Sequence, residues 1–260
     1  MEQAKGGREF SQTLREVAGR KPLIIMKGGT TEIGARAAFS HTGALASYSR
    51  VWGKAIHQMG VILVDDLEEM ADAAFSCLAL ELPRSLRVGI VVVGGGSSVE
   101  MTDVCARNSL EVPLLEKATQ EKIAQNIPEA NTSCKNPVDL GFMGFFPEVY
   151  SQSILLTATD PNVDVLLLYQ ITEFFQQFTP HLDWPGNISA EMARIRGEVE
   201  KPMVIVIPPL EQDKPEFITK RQALVQKLRQ NGIPVFPTID RAAKVIYRLQ
   251  RYRKFLHPEA

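Results

Sequence analysis

Two kinds of hydrophobic spacing alternate along this chain. Short unbroken apolar runs of buried-strand character are separated by longer stretches in which apolar residues return every three or four positions, the period of a helix. A helical stretch near Phe10 to Ala18 is followed by the run Leu23-Ile24-Ile25-Met26, opened by Pro22 and closed by Gly28-Gly29, which reads as a buried strand. A helix from Thr42 to Met59, a strand at Val61-Ile62-Leu63-Val64 and a helix from Leu67 to Leu80, introduced by Asp65-Asp66, continue the alternation. Pro83-Arg84-Ser85 interrupts it, and a second series begins with Val88-Gly89-Ile90-Val91-Val92-Val93. Its further strand candidates are Val112 to Leu115, Val163 to Tyr169, Met203 to Ile207 and Ile233 to Phe236, with prominent helical stretches at Phe217 to Gln230 and Ile239 to Leu256.

Strands that alternate with helices imply a parallel α/β sheet. The spacing predicts two domains, 1–82 and 83–260, the second a flavodoxin-like doubly wound sheet from about residue 86. The first segment offers two strands, fewer than the roughly three that an independent sheet needs. It reads as the back half of a domain whose other strands lie in missing chain, come from a partner or are supplied by contact with the second domain.

Composition narrows the function classes. The 260 residues are 45% hydrophobic and 23% charged, ordinary for a globular protein with a real core. Lys+Arg 29 against Asp+Glu 30 leaves a net charge of -1, so no global field favours nucleic acid or an anionic membrane as partner. No apolar run is long enough to cross a bilayer, and Met1 to Arg8 lacks a signal-peptide core, so a cytoplasmic location is expected. Cys77, Cys105 and Cys134 form no CxxC pair and no zinc spacing; they read as reduced apolar residues, and no metal set emerges.

Candidate chemistry concentrates at His41, in Ser40-His41-Thr42-Gly43-Ala44-Leu45. With a helix starting just after the imidazole, Ser40, Thr42 and Gly43 would offer capping hydroxyls and unpaired N–H groups to an anion, which points to a phosphorylated histidine. His57 and His257 read as packing or surface residues, and His181, in a Pro-bounded loop, fits either class. A second motif, Gly94-Gly95-Gly96-Ser97-Ser98, follows a strand and opens a helix, with Ser97 and Ser98 as caps. Taken alone it fits an ordinary structural turn as well as a phosphate site, and it lacks the lysine of a Walker A loop. Two such helix N-termini, one from each domain, could face one phosphoryl group, each contributing ~0.3–1 kcal/mol when exposed and up to about 2 when partly buried. A third motif, Asn136-Pro137-Val138-Asp139-Leu140-Gly141, reads first as a structural turn with Asp139 as a cap at a strand end. Asp65-Asp66 with Glu68-Glu69, and Glu198 with Glu200, read as helix starts or solvated faces.

Lys21-Pro22, the segment from Lys27 to Arg36, Ser40-His41-Thr42-Gly43-Ala44-Leu45, Gly60-Val61 and Val64 to Glu69 together resemble the NDP-forming acyl-CoA synthetases. That superfamily contains ADP-forming acetyl-CoA synthetase and succinyl-CoA synthetase. The triple glycine and Asn136-Pro137-Val138-Asp139-Leu140 are similar to marks of the same family's next domain, so the resemblance runs through nearly the whole chain. It implies a partial flavodoxin-like, succinyl-CoA synthetase-type domain followed by a flavodoxin-like ligase domain. It also implies a cytoplasmic acid–thiol ligase that interconverts acyl-CoA, ADP and phosphate with acid, CoA and ATP. In the family an acyl phosphate forms, a histidine takes its phosphoryl group and a mobile loop carries it to ADP. His41 matches that histidine, and Glu2, ahead of Gly7-Arg8-Glu9-Phe10, matches the glutamate that steadies it.

The chain departs from the pattern at Thr30, where an arginine is common, and at Ser47, where a glycine is common. The CoA-binding and ATP-grasp modules are expected outside this chain, in cis or as a subunit of an oligomer. CoA, ATP or ADP and Mg would then be substrates held there, with nothing bound tightly here. The alternative is a non-catalytic, flavodoxin-like binding or regulatory module derived from the superfamily, against which retention of His41 and Glu2 argues. A flavin-binding flavodoxin has only the fold in its favour, since the Gly94 turn lacks a hydroxyl-rich loop.

Overall fold

The computed structural model describes residues 7–42, 53, 55–56, 58–172, 183–209 and 214–259. Glu2, Gly43, Ser47, His57 and His181 lie outside the described residues. The chain forms two compact units, residues 79–247 and residues 1–78 together with 248–260.

In the larger unit, β3 (Val88–Val92), β4 (Val138–Asp139), β5 (Val165–Tyr169), β6 (Met203–Val206) and β7 (Val235–Phe236) form one parallel sheet in the order β4-β3-β5-β6-β7. The order steps outward from β3 to β4, then reverses through β5, β6 and β7, which is the flavodoxin-like doubly wound arrangement. Every residue of β3 and β6 is buried, as continuous apolar runs demand of strands covered on both faces. Helices α4 (Gly95–Arg107), α5 (Lys117–Ala124), α6 (Pro147–Thr159), α7 (Trp184–Glu198) and α8 (Pro215–Gln230) make the connections. Their apolar faces, among them Ile123, Ile154, Met192, Ile195, Leu224 and Leu228, close over the sheet. Proline sets the start of α6, α7 and α8, and Asp183 caps α7 by accepting the Gly186 N–H at 3.1 Å.

One strand lies elsewhere than expected. Val112 to Leu115 forms no strand; a single bridge joins Arg87 to Glu111, and the sheet edge is β4 instead. Pro113 has no N–H to give a ladder, and the Asn136 side chain takes its place. Asn136 donates to the carbonyls of Val88 (3.0 Å) and Pro113 (2.7 Å) and accepts the Ile90 N–H at 2.9 Å.

In the smaller unit, β1 (Leu23–Met26) pairs in parallel with β2 (Val61–Val64), Leu23 opposite Val61 and Met26 opposite Val64. Around them lie α1 (Gly7–Ala18), α2 (Glu32–Thr42) and α3 (Leu67–Ala79). Leu14, Ile56 and Val61 form a small core with Phe10, Leu23, Ile25, Met59 and Leu63 against it. Asp66 caps α3 by accepting the Glu69 N–H at 2.7 Å, and Glu69 reaches back to the Asp65 N–H at 2.9 Å.

The last helix, α9 (Ile239–Leu256), divides between the units at Arg248, whereas the sequence assigned all of 83–260 to the second domain. Its end stays with the first unit because Tyr252 donates to the Ala18 carbonyl at 2.8 Å and Phe255 covers Gly60. Gly60 sits at φ +77°, and a Cβ there would meet the Phe255 ring at 2.2 Å. Arg248 bonds the buried Glu69 carboxylate at 2.7 Å and lies 3.6 Å from Asp65. Removing one partner strands a buried charge. Arg248→Met is therefore expected to lower stability by about 2–3 kcal/mol, and Glu69→Gln added to it to recover part of the loss, both read from urea melts.

The cysteines are free thiols. Burial pushes the Cys77 thiol up to about 11 and the Cys105 thiol up to about 12. Both are expected to react with iodoacetamide at pH 8 roughly 100-fold or more slowly than an exposed cysteine, measured by peptide mass spectrometry on the native protein.

Candidate functional site

His41 stands in the last turn of α2 and is exposed. Thr42 therefore ends one helix and does not open the next; of the expected helix Thr42 to Met59, residues 43–52, 54 and 57 lie outside the described residues, and 53, 55, 56 and 58 are helical. Thr31 starts α2 instead: its Oγ1 accepts the Gly34 N–H at 3.0 Å and its carbonyl accepts the Ala35 N–H at 2.8 Å. The Ala-rich stretch that follows, with Ala35, Ala37 and Ala38 around Arg36, propagates the helix through Ser40.

The free N–H groups of α2 thus lie at Glu32 and Ile33, and the end that carries His41 presents carbonyls. There the dipole favours a cation rather than a phosphate. Ser40 is no cap, since its hydroxyl donates to the Arg36 carbonyl at 3.1 Å. Thr42 closes the same helix. The His41 side chain is solvent-exposed at that end of the helix.

The second motif keeps its expected form. The chain leaves β3 through Val93 and turns at Gly94, whose φ of 123° and ψ of 125° suit glycine, before α4 starts at Gly95. The intrahelical ladder begins with the Ser98 N–H on the Gly94 carbonyl at 3.2 Å, so the N–H groups of Gly95, Gly96 and Ser97 precede it. Ser97 and Ser98 do not cap, which corrects the second expectation. No side chain caps α4, and the Ser98 hydroxyl donates to the Gly95 carbonyl at 2.8 Å. Both serines lie inside the first turn, past the position from which a hydroxyl can reach forward to a free amide.

Gly95 and Gly96 are exposed. A Cβ at Gly94 or Gly96 would meet nothing within 4 Å. The room these glycines leave is therefore not taken up by the chain's own atoms.

Asp139 fixes this turn. Its Oδ1 accepts the N–H of Gly94 at 2.9 Å and of Gly141 at 3.0 Å. A Cβ on Gly95 would stand 3.4 Å from its Oδ2, which places a buried carboxylate beside the start of α4. The structural role read from the sequence holds for Asp139, whereas the bridge that the Asn136 side chain makes between β3 and the Pro113 carbonyl is seen only in the structure. The order Asn-Pro-Val-Asp carried the signal for the turn and for Asp139. The partner groups, 23 to 48 residues away in sequence, did not.

Among the described residues no group of three or more His, Cys, Asp or Glu side chains is placed to hold a metal ion, and no helix is long and apolar enough to cross a membrane.

Comparison with known proteins agrees with this architecture. Residues 1–76 match the succinyl-CoA ligase like flavodoxin domain, and residues 88–241 match the Ligase-CoA domain. The alpha subunit of acetate–CoA ligase [ADP-forming] II from Pyrococcus furiosus is 30% identical over 254 residues, 98% of this chain and 52% of the relative. The alpha subunit of form I from the same organism is 32% identical over 257 residues, again 98% of this chain and 52% of the relative. A structure of the dinucleotide forming acetyl-coenzyme A synthetase 1 of Ca. Korarchaeum cryptofilum, in complex with phosphate and ADP, superposes with a TM-score of 0.79 at 26% identity. That match covers 98% of this chain and 53% of that one. The chain spans about half the length of the relatives it matches. Since the Ligase-CoA match takes in more than half of its 260 residues, the chain belongs to the Ligase-CoA domain family.

Proposed function

We propose that this chain is the phosphohistidine-bearing part of an ADP-forming acyl-CoA synthetase. The observation that carries the proposal is the near-complete match of this chain to the alpha subunits of ADP-forming acetate–CoA ligases, with His41 exposed.

In the proposed sequence phosphate attacks the thioester carbonyl of acyl-CoA, which releases CoA as thiol and leaves an acyl phosphate. A ring nitrogen of His41 then attacks the phosphorus, the P–O bond to the acyl group breaks, and the acid departs as carboxylate. Phosphohistidine finally passes its phosphoryl group to the terminal phosphate of ADP, giving ATP and the free imidazole. Glu2 orients the ring, and Ser40, Thr42 and Gly43 belong to the segment around it. The N–H groups of Gly95, Gly96 and Ser97, with Gly94 and Ser98 shaping the turn, hold a phosphate. CoA, ATP or ADP and Mg bind on an ATP-grasp domain or subunit and a CoA-binding domain that complete a cytoplasmic, oligomeric enzyme.

The test mixes the chain with an ATP-grasp partner, Mg and γ-labelled ATP. Acid-labile, base-stable label mapped to His41 by mass spectrometry supports the proposal; stable label elsewhere overturns it. One observation favours a second reading, a non-catalytic module: α2 directs its free N–H groups away from His41. Effector binding to residues 79–247 with no phosphotransfer in any reconstituted mixture would decide for it.

A further inference from the structure

The larger unit contains a cavity of about 350 Å³ between the 3-10 turn Gly141–Phe145, α6, the end of β5 and α7, within the size range of small-molecule sites. Phe145, Pro147, Trp184, Ile188 and Met192 make most of its wall apolar. Its polar lining is Tyr150, Ser151, Gln170, Asn187 and Glu191, of which Tyr150 and Gln170 are each only 5% exposed. The Tyr150 hydroxyl and the Gln170 Oε1 are both buried without a well-formed hydrogen bond, although the Gln170 side chain lies close enough to Tyr150 to act on its phenol. Buried polar atoms are nearly always bonded, so two unbonded ones in one cavity mark groups that await a partner.

The protonation states at neutral pH define that partner. Burial pushes the Tyr150 phenol up to about 12, with Gln170 beside it working the other way, so Tyr150 keeps its proton and can donate. Gln170 Oε1 can only accept. Glu191, also on the wall, is held below the usual carboxylate range, first by its bond from Arg194, and it takes a further hydrogen bond from Ser151. An anionic ligand would therefore meet a carboxylate, and a hydrocarbon would leave both orphan atoms unbonded.

We propose that this cavity binds a neutral, mostly apolar small molecule whose polar end carries an acceptor for Tyr150 and a donor for Gln170, as a primary carboxamide or an alcohol does. The site goes beyond the proposed phosphoryl transfer and is independent of it, since none of its lining residues takes part in that reading. It adjoins the Gly94 turn through Gly144, where a Cβ would meet Val93 Cγ2 at 2.3 Å.

The test is calorimetric titration of the full chain with 3-phenylpropanamide and 3-phenylpropan-1-ol. At least one is expected to bind saturably and one-to-one, and the one that binds identifies the head group. The matched carboxylate, 3-phenylpropionate, is expected to bind at least tenfold more weakly. Tyr150→Phe removes only the unbonded oxygen, so the variant melts at or above the wild-type temperature yet binds the neutral probe about tenfold more weakly. Ile188→Trp fills the cavity and abolishes binding. Absence of saturable binding by both neutral probes, equal binding of the carboxylate, or affinity unchanged by Tyr150→Phe and Ile188→Trp overturns the proposal.

Discussion

His41→Asn is expected to reduce labelling from γ-labelled ATP to background and to lower turnover of the reconstituted synthetase by on the order of 10⁴-fold or more, the scale on which loss of a covalent nucleophile acts. Asparagine keeps a polar side chain of similar reach but has no nitrogen able to carry a phosphoryl group. The imidazole is exposed in the final turn of α2, where a polar replacement shifts stability by no more than about 0.5 kcal/mol. The melting temperature should therefore hold while the chemistry disappears, which separates a lost nucleophile from a lost fold. Label retained by the variant would place the acceptor elsewhere.

The legible parts of this chain were those written in local patterns. Leu23–Met26, Val61–Val64, Val88–Val92, Val165–Tyr169 and Met203–Val206 are continuous apolar runs bounded by turn residues, and all became strands. The helix spanning 239–256 was equally plain from its period. Val138–Asp139 was not, because a two-residue edge strand is too short to have a period, and Val112 to Leu115 has better strand composition. What decided between them was Pro113, which offers no donor, and the distant amide of Asn136, which does.

That one helix ends at His41 and Thr42 was not legible for a related reason: Thr31 caps that helix ten residues earlier, and its Ala-rich stretch carries it through Ser40. The cavity at Tyr150 and Gln170 had no sequence signature, since its walls come from elements far apart in the chain.

Asn136→Ala is expected to destabilise the larger unit by about 3–7 kcal/mol, a large part of the ~5–15 kcal/mol that holds a typical domain together. The Val88 carbonyl and the Ile90 N–H belong to residues with 0% exposure, so neither finds water when the amide is removed. Each such orphan costs about 1–3 kcal/mol. Alanine must also adopt the φ of 114° that Asn136 holds, a conformation that adds about 1 kcal/mol or more for a residue with a Cβ and no polar side chain. Asn136→Asp does not rescue the variant. It keeps an acceptor for Ile90 but has no donor for Val88 and Pro113, and it brings a charge into a buried site. With a urea dependence of about 2.5–3 kcal/mol per molar, the upper end of the usual range as suits a unit of this size, the Asn136→Ala midpoint should fall by roughly 1–3 M, followed by the fluorescence of buried Trp184. A midpoint within about 0.3 M of wild type would show that the amide does not bridge the strands. The consequence reaches the Gly94 turn: the chain runs from Asn136 straight into Asp139, whose carboxylate holds the Gly94 and Gly141 N–H groups. Loosening that anchor should therefore spoil the geometry of the turn before the sheet itself melts.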